Sequence, residues 1–193
     1  MSGLETWSVS EVIIMTPCYH WPAFFCPINA MNALAKLTSQ FPRAGLVQWI
    51  GLRPKRDVAM KEVDEVNAIA GKGLQGDRYA SGSGKRGITL IQAEHLPVIA
   101  ALSGHQKIVP ATLRRNVVVS GIPVIALIGK KFRIGDAIFE GTDACDPCER
   151  MEAALGLGAY NAMLGHGGLC ARILQSGKIS IGDSVVPINE EHI

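Results

Sequence analysis

Long apolar runs are missing from this chain. No stretch of its 193 residues reaches the roughly 18 apolar positions that a membrane-spanning helix needs. Residues 12–34 come nearest, and Cys18, Tyr19, His20, Pro22, Pro27 and Asn29 interrupt them. A basic leader is missing as well, since the first residues carry Glu5 and Glu11, which argues against a signal peptide. Aromatic residues are scarce at 6%, too few for a surface that stacks single-stranded bases. Charge of one sign is also scarce. The net charge is +2 with 19% charged residues, which excludes a broad electrostatic case for nucleic acid or an anionic membrane but leaves room for one small anion. Five cysteines, an odd number in two groups, do not make a disulfide framework, so cytoplasmic thiols are the expectation. No flavin, haem or iron–sulfur motif is present.

What is present changes in texture near residue 44. The first 44 residues hold four prolines, two cysteines, two tryptophans and no sustained alternation. They read as an N-terminal extension, poorly ordered apart from a short helix over Ala30–Thr38, where Met31, Leu34 and Leu37 share a face. Residues 45–190 read as one domain rich in short strands. Strands are expected over Leu46–Leu52, Gly87–Ile91, Asn116–Val119, Ile122–Leu127, Lys131–Ile134, Ala137–Glu140, Leu169–Leu174 and Ser184–Ile188. Gly129-Lys130, Gly135-Asp136, Ser176-Gly177 and Gly182-Asp183 supply turn chemistry between them. Helices are expected over Gln92–Leu102, with Pro97 in the first turn, and over Met151–Leu155, with a helical turn at Pro110–Arg114. Ser81–Gly84 reads as a flexible link. Many short strands at this spacing favour a barrel or sandwich over a parallel sheet.

The most informative stretch is Cys145-Asp-Pro-Cys148, set where the Ala137–Glu140 strand gives out. Pro147 lacks an N–H and holds Asp146 extended, so the ladder cannot continue there. Free cysteine usually sinks into a core, and two of them beside Asp, Pro, Glu and Arg point to chemistry. As half of a zinc site the pair needs partners such as His166 and Cys170. As a thioredoxin-type pair it needs a βαβ context. As one reactive thiolate with a bystander it can ligate a soft metal or carry sulfur.

Three further motifs are compatible with an anionic ligand. In Gly73-Leu-Gln-Gly76-Asp77-Arg78, glycine frees backbone N–H groups beside a planar guanidinium, which suits a phosphate, though a plain turn with a salt-bridged Arg78 fits equally well. In Leu113-Arg114-Arg115-Asn116, adjacent arginines at a strand start face opposite ways, so that one is solvated and the other, with Asn116, can reach an anion. The loop Gly165-His-Gly-Gly168 allows close backbone approach, while His95 and His105 read as isolated surface histidines.

Taken in order, these motifs resemble the MOSC domain, the module named for the C-terminal part of molybdenum cofactor sulfurase. The resemblance runs over roughly residues 45–188. It is carried by Gly73-x-x-Gly-Asp-Arg78, Arg114-Arg-Asn116-Val-Val-Val-x-Gly-Ile122, Leu127–Gly135, Cys145-x-Pro-Cys148-x-Arg150, Gly165–Gly168, Ala171-Arg172 and Gly177-x-x-x-x-Gly-Asp183. The match is to the small stand-alone bacterial type; larger members carry a further β-barrel domain. It implies a mainly β fold, a closed or partly open and mostly antiparallel β-barrel with a few short helices. It also implies a molybdenum cofactor, a molybdopterin-bound molybdenum held by its phosphate and by a cysteine thiolate. The family's cysteine falls on Cys148, with Cys145 as competitor. Gly76, Asp77, Arg78, Arg114, Arg115 and Asn116 are the positions carried over for cofactor contacts. Related proteins reduce N-hydroxylated small molecules with electrons from an external donor protein. A sulfur carrier with a persulfide on Cys148, and a zinc- or thiol-stabilised binding module, are the rival expectations.

Overall fold

A computed structural model of the chain describes residues 28–79 and 86–188. The Ser81–Gly84 link and most of the N-terminal extension lie outside the described residues. The chain divides into two compact units, Met1–Lys36 and Leu37–Ile193. Helix α1 (Ile28–Ser39) covers the expected Ala30–Thr38 segment.

The second unit is a barrel. In chain order its strands are β1 (Gly45–Leu52), β2 (Lys61–Glu62), β3 (Glu65–Ile69), β4 (Gly73–Leu74), β5 (Ile88–Gln92), β6 (Val117–Ser120), β7 (Lys131–Ile134), β8 (Ala137–Ala144), β9 (Leu169–Gln175), β10 (Gly177–Ser180) and β11 (Ser184–Ile188). Helices α2 (His95–Leu102), α3 (Glu149–Leu155) and α4 (Ala159–Met163) are short. Strands pair in the order β11-β7-β8-β9-β5-β6-β1, and a β1–β11 pairing closes the ring of seven, with β2 added beyond β1. A smaller sheet, β10-β3-β4, sends Val66, Ala68, Leu74 and Ile179 into the barrel's core.

The barrel is closed, as expected, but mixed: β5 and β6 run parallel. Parallel neighbours need a long crossover, and α2 with the 3-10 turn Pro110–Leu113 supplies it. This one βαβ unit explains why these two strands lack polar alternation. Leu90, Val117 and Val119 face the barrel interior, while Ile91 and Val118 face outward under the helices. Phe132 and Phe139, fully buried and stacked at 5.5 Å, fill the interior between β7 and β8. A second cluster joins Ile91 and Val118 to Ile99, Leu113, Met151, Leu155 and Met163, fixing α2, α3 and α4 to the outer face. Val124–Leu127, expected as a strand, is a 3-10 turn that buries Val124 and Leu127. No helix among the described residues is long and apolar enough to cross a membrane.

Candidate functional site

The end of β1, the loop after β4 and the start of β6 meet in a buried polar knot. Arg53, just past β1, donates to the Asp77 carboxylate through Nε at 3.0 Å, Nη2 at 3.2 Å and its backbone N–H at 2.9 Å. Asn116 Nδ2 donates to the same carboxylate at 2.8 Å and to the Gly51 carbonyl at 3.1 Å. Its Oδ1 accepts from Arg53 Nη2 at 2.6 Å and from the Thr89 hydroxyl at 2.9 Å. All three residues are buried. Burial alone would raise the Asp77 pKa, but the hydrogen bonds and charge of Arg53 win, and it is held below the usual carboxylate range. The polar atoms of Asp77 and Asn116 are thus spent on the protein, and their geometry is that of a brace which sets the loop carrying Gly76 and Arg78.

Arg115 is a second brace. It is buried and donates to the carbonyls of Gly167 at 2.7 Å, Cys145 at 2.9 Å and Leu113 at 3.0 Å. The Gly165–Gly168 loop is thereby tied to the end of β8. Glycine is required here because a Cβ on Gly167 would lie 2.1 Å from the Cys145 carbonyl, and one on Gly168, at φ +94°, 2.0 Å from that of Leu90. His95, expected to stand alone, packs edge-on against His166 at 4.8 Å.

Beside these braces Arg78 and Arg150 gather with Arg53 around Arg114. Arg53 and Arg78 both lie over the Tyr79 ring, at 4.5 and 4.3 Å from its centroid, and Arg78 Nη2 reaches the Tyr79 hydroxyl. Arg114 sits at φ 54°, a left-handed conformation that a side chain rarely adopts without reason. Its pKa is pushed down by burial and then by the charges of Arg150, Arg53 and Arg78, with Asp57 opposing. Arg78 Nε and Arg114 Nη2 are shielded from solvent with no hydrogen-bond partner among the described residues. Arg114 and Arg150 line an open groove of about 340 Å³ together with Asp57, Val58 and α3 residues Ala153 and Ala154. Asp57 Oδ1 accepts from Arg150 Nη2 at 2.7 Å. Crowded cations with unmet donors are the electrostatic complement of a phosphate or similar oxyanion.

The two cysteines of the Cys-x-x-Cys motif have different surroundings. Cys148 is the residue that begins α3, at φ −143° and ψ 172°, and its side chain is exposed. Cys145 is buried and lies beside Cys170 across the β8–β9 seam. Among the described residues no group of three or more His, Cys, Asp or Glu side chains is placed to hold a metal ion. Of the carried-over positions, Asp77 and Asn116 meet at Arg53, and Arg78 follows Gly76 and Asp77 in the same loop and shares the Tyr79 ring with Arg53. Arg114 lines the groove beside α3, and Arg115 turns to the Gly165–Gly168 loop. Arg53 and Arg150 belong with them. Arg53 escaped the sequence reading because nothing local links it to a carboxylate further along the chain. Arg150 stood in the Cys145-x-Pro-Cys148-x-Arg150 motif but was given no role.

A family model described as the MOSC domain matches residues 77–186. Among solved structures the fold is similar to that of the YuaD protein from Bacillus subtilis, at a TM-score of 0.66 and 21% identity, covering 74% of this chain and 94% of that one. It is also similar to YiiM from Geobacillus stearothermophilus, with a TM-score of 0.61, 17% identity and 75% of each chain covered. YiiM from Escherichia coli gives 0.60 at 20% identity, covering 77% of this chain and 71% of that one. No curated protein matches the sequence.

Proposed function

Because the chain belongs to the MOSC domain family, we propose that it binds the molybdenum cofactor and acts as a reductase of N-hydroxylated small molecules. The observation that carries this reading is the pairing of an exposed thiol with an unsatisfied cationic groove. Cys148 begins the helix that forms one wall of the groove, and Arg114 stands on the other. The unpartnered donors on Arg78 and Arg114 fit the cofactor's phosphate, which calls for compact, planar, charged donors. The Cys148 thiolate fits the metal, since a soft anionic ligand suits a molybdenum centre. Cys145 is the weaker candidate because its thiol is buried and engaged by Cys170.

When bound, the cofactor would supply oxygen-atom transfer. The protein's own part is to orient and tune it. The Arg53–Asp77–Asn116 brace holds the Arg78 loop in place, Arg115 fixes the backbone on which Cys148 stands, and Asp57 competes with an incoming anion for Arg150. Electrons would come from an external donor protein.

The test is elemental analysis of protein made in a host that synthesises the pterin cofactor. The expected result is molybdenum near one per chain, lost in Cys148→Ser, largely kept in Cys145→Ser, and reduced several-fold in Arg78→Ala and Arg114→Ala. Molybdenum in the wild type that survives in Cys148→Ser would refute the ligand assignment. Loaded protein should then reduce an amidoxime with a chemical electron source. The exposure of Cys148 also supports a second reading, a sulfur carrier, for which the same preparation would contain labile sulfur on Cys148 and no molybdenum.

A further inference from the structure

Cys170 is a thiol that the cofactor site does not use. It lies on β9, 3% exposed, and its sulfur accepts a hydrogen bond from Arg86 Nε at 3.2 Å. Its other neighbour is the Cys145 thiol, also 3% exposed, just past the end of β8. The two backbones are held together: Ala144 pairs with Leu169, and the Cys145 N–H donates to the Gly168 carbonyl at 2.7 Å. Arg86 itself is exposed, so the pair lies one side chain below the surface. A buried sulfur with a guanidinium donor on one side and a second thiol on the other is not an inert core cysteine.

We propose that Cys170 and Cys145 form a peroxide-reactive pair that closes a reversible disulfide across the β8–β9 seam. Cys170 is the attacking thiolate. The Cys145 hydrogen bond stabilises its charge, burial opposes, and Arg86 adds to the first, with the result that its pKa falls to about 6. The charged and titratable groups facing it are Arg86, Arg115 and Cys145, with Asp143 directly opposite on β8. In the first step the Cys170 thiolate attacks one oxygen of hydrogen peroxide. The O–O bond breaks, an S–O bond forms, and the hydroxide takes up a proton and leaves as water. In the second, Cys145 sulfur attacks the Cys170 sulfenic sulfur, the S–O bond breaks, and the departing hydroxide takes the Cys145 proton as a second water. Two thiols lose two electrons and peroxide gains them. Cys145 is a poor nucleophile beforehand, because its hydrogen bond to the Cys170 thiolate, and then burial, push its pKa up. Oxidation of Cys170 removes that thiolate, so the resolving thiol is released at the step that needs it.

The experiment treats the reduced full chain with a few equivalents of hydrogen peroxide at pH 7, blocks remaining thiols, and maps non-reduced peptides by mass spectrometry. A cross-linked Cys145–Cys170 peptide is expected in the wild type and equally in Cys148→Ser, disappearing on treatment with dithiothreitol. Its formation should slow severalfold in Arg86→Gln, because the charge and hydrogen bond of Arg86 help hold the Cys170 thiolate at pH 7. The wild-type rate should rise with pH through a midpoint near 6. Cys170 left free to alkylate while Cys148 carries the oxidation, a Cys145–Cys148 link in its place, or an unchanged rate in Arg86→Gln would each overturn the proposal.

Discussion

Asp77 carries the charge around which the candidate site is braced. Its carboxylate is buried, and so is the guanidinium of Arg53 that it holds. Two ions taken out of water gain little over an apolar pair of the same shape, yet removing one leaves the other stranded. Asp77→Ala should therefore lower stability by about 3–5 kcal/mol in urea unfolding, and a loss under 1 kcal/mol would show that Arg53 finds another partner. The pH dependence follows from the same pair. The folded-state pKa lies below the unfolded value, so the stabilisation is complete above about pH 4 and is lost as pH falls through the folded pKa. The variant should lack that part of the acid-side decline. At this scale the sequence singled out residue types without showing what they touch. Asp77 and Asn116 stood out beside arginines as ligand contacts, whereas the fold uses their polar atoms internally. Arg53 was illegible because its partners, Asp77 and Asn116, are brought to it by two separate elements far along the chain.

Between elements, Arg115 decides how the β8 end, the Gly165–Gly168 loop and the start of β6 sit together. It satisfies carbonyls from three segments in a largely buried site. Each buried carbonyl left without a donor costs about 1–3 kcal/mol. Arg115→Met keeps the apolar stem and removes the fork, so thermal unfolding should show a loss of at least about 2 kcal/mol. Hydrogen exchange at the Cys145 N–H should quicken more than at Phe139 in the barrel wall, and equal protection at both would show that the clamp is not what orders this seam. Periodicity revealed most of these elements, because β7, for example, alternates exposed and buried through Lys131–Ile134. It failed at Ile122–Leu127, where an apolar run after Pro123 satisfies a 3-10 turn as well as a strand. It also missed β3 and β10: β10 has one large apolar residue, and β3, though it alternates, is only five residues long. The meeting of His95 with His166 was equally hidden, since it depends on α2 packing near a loop far along the chain.

At the scale of the molecule, closure of the barrel rests on a thin seam between the first and last strands. The β1–β11 ladder has two residue pairs, Gly45 with Val185 and Leu46 with Ser184, extended by mutual hydrogen bonds of Val47 with Asp183 and Gly182 at 2.9 Å each. That closure was not legible in any local pattern and was anticipated through the order of motifs that resembles the family. Its energetic weight comes from Val185, which is fully buried against the interior and pairs with Ile134 on its other side. Both core clusters lie within Leu37–Ile193. Removing residues 1–36 should therefore leave the urea midpoint and slope of the barrel unchanged, because Leu37–Ile193 is a compact unit that holds both clusters. Ending the chain after residue 180 removes β11, opens β1 and β7 as neighbouring edges, and exposes Phe132 and Ile134 beneath them. The expected result is loss of a cooperative unfolding transition and a tendency to aggregate. A truncated chain that still unfolded in one sharp step would mean that the β7-β8-β9-β5-β6-β1 sheet is stable open, and that the ring is a constraint on the site and not a condition of folding.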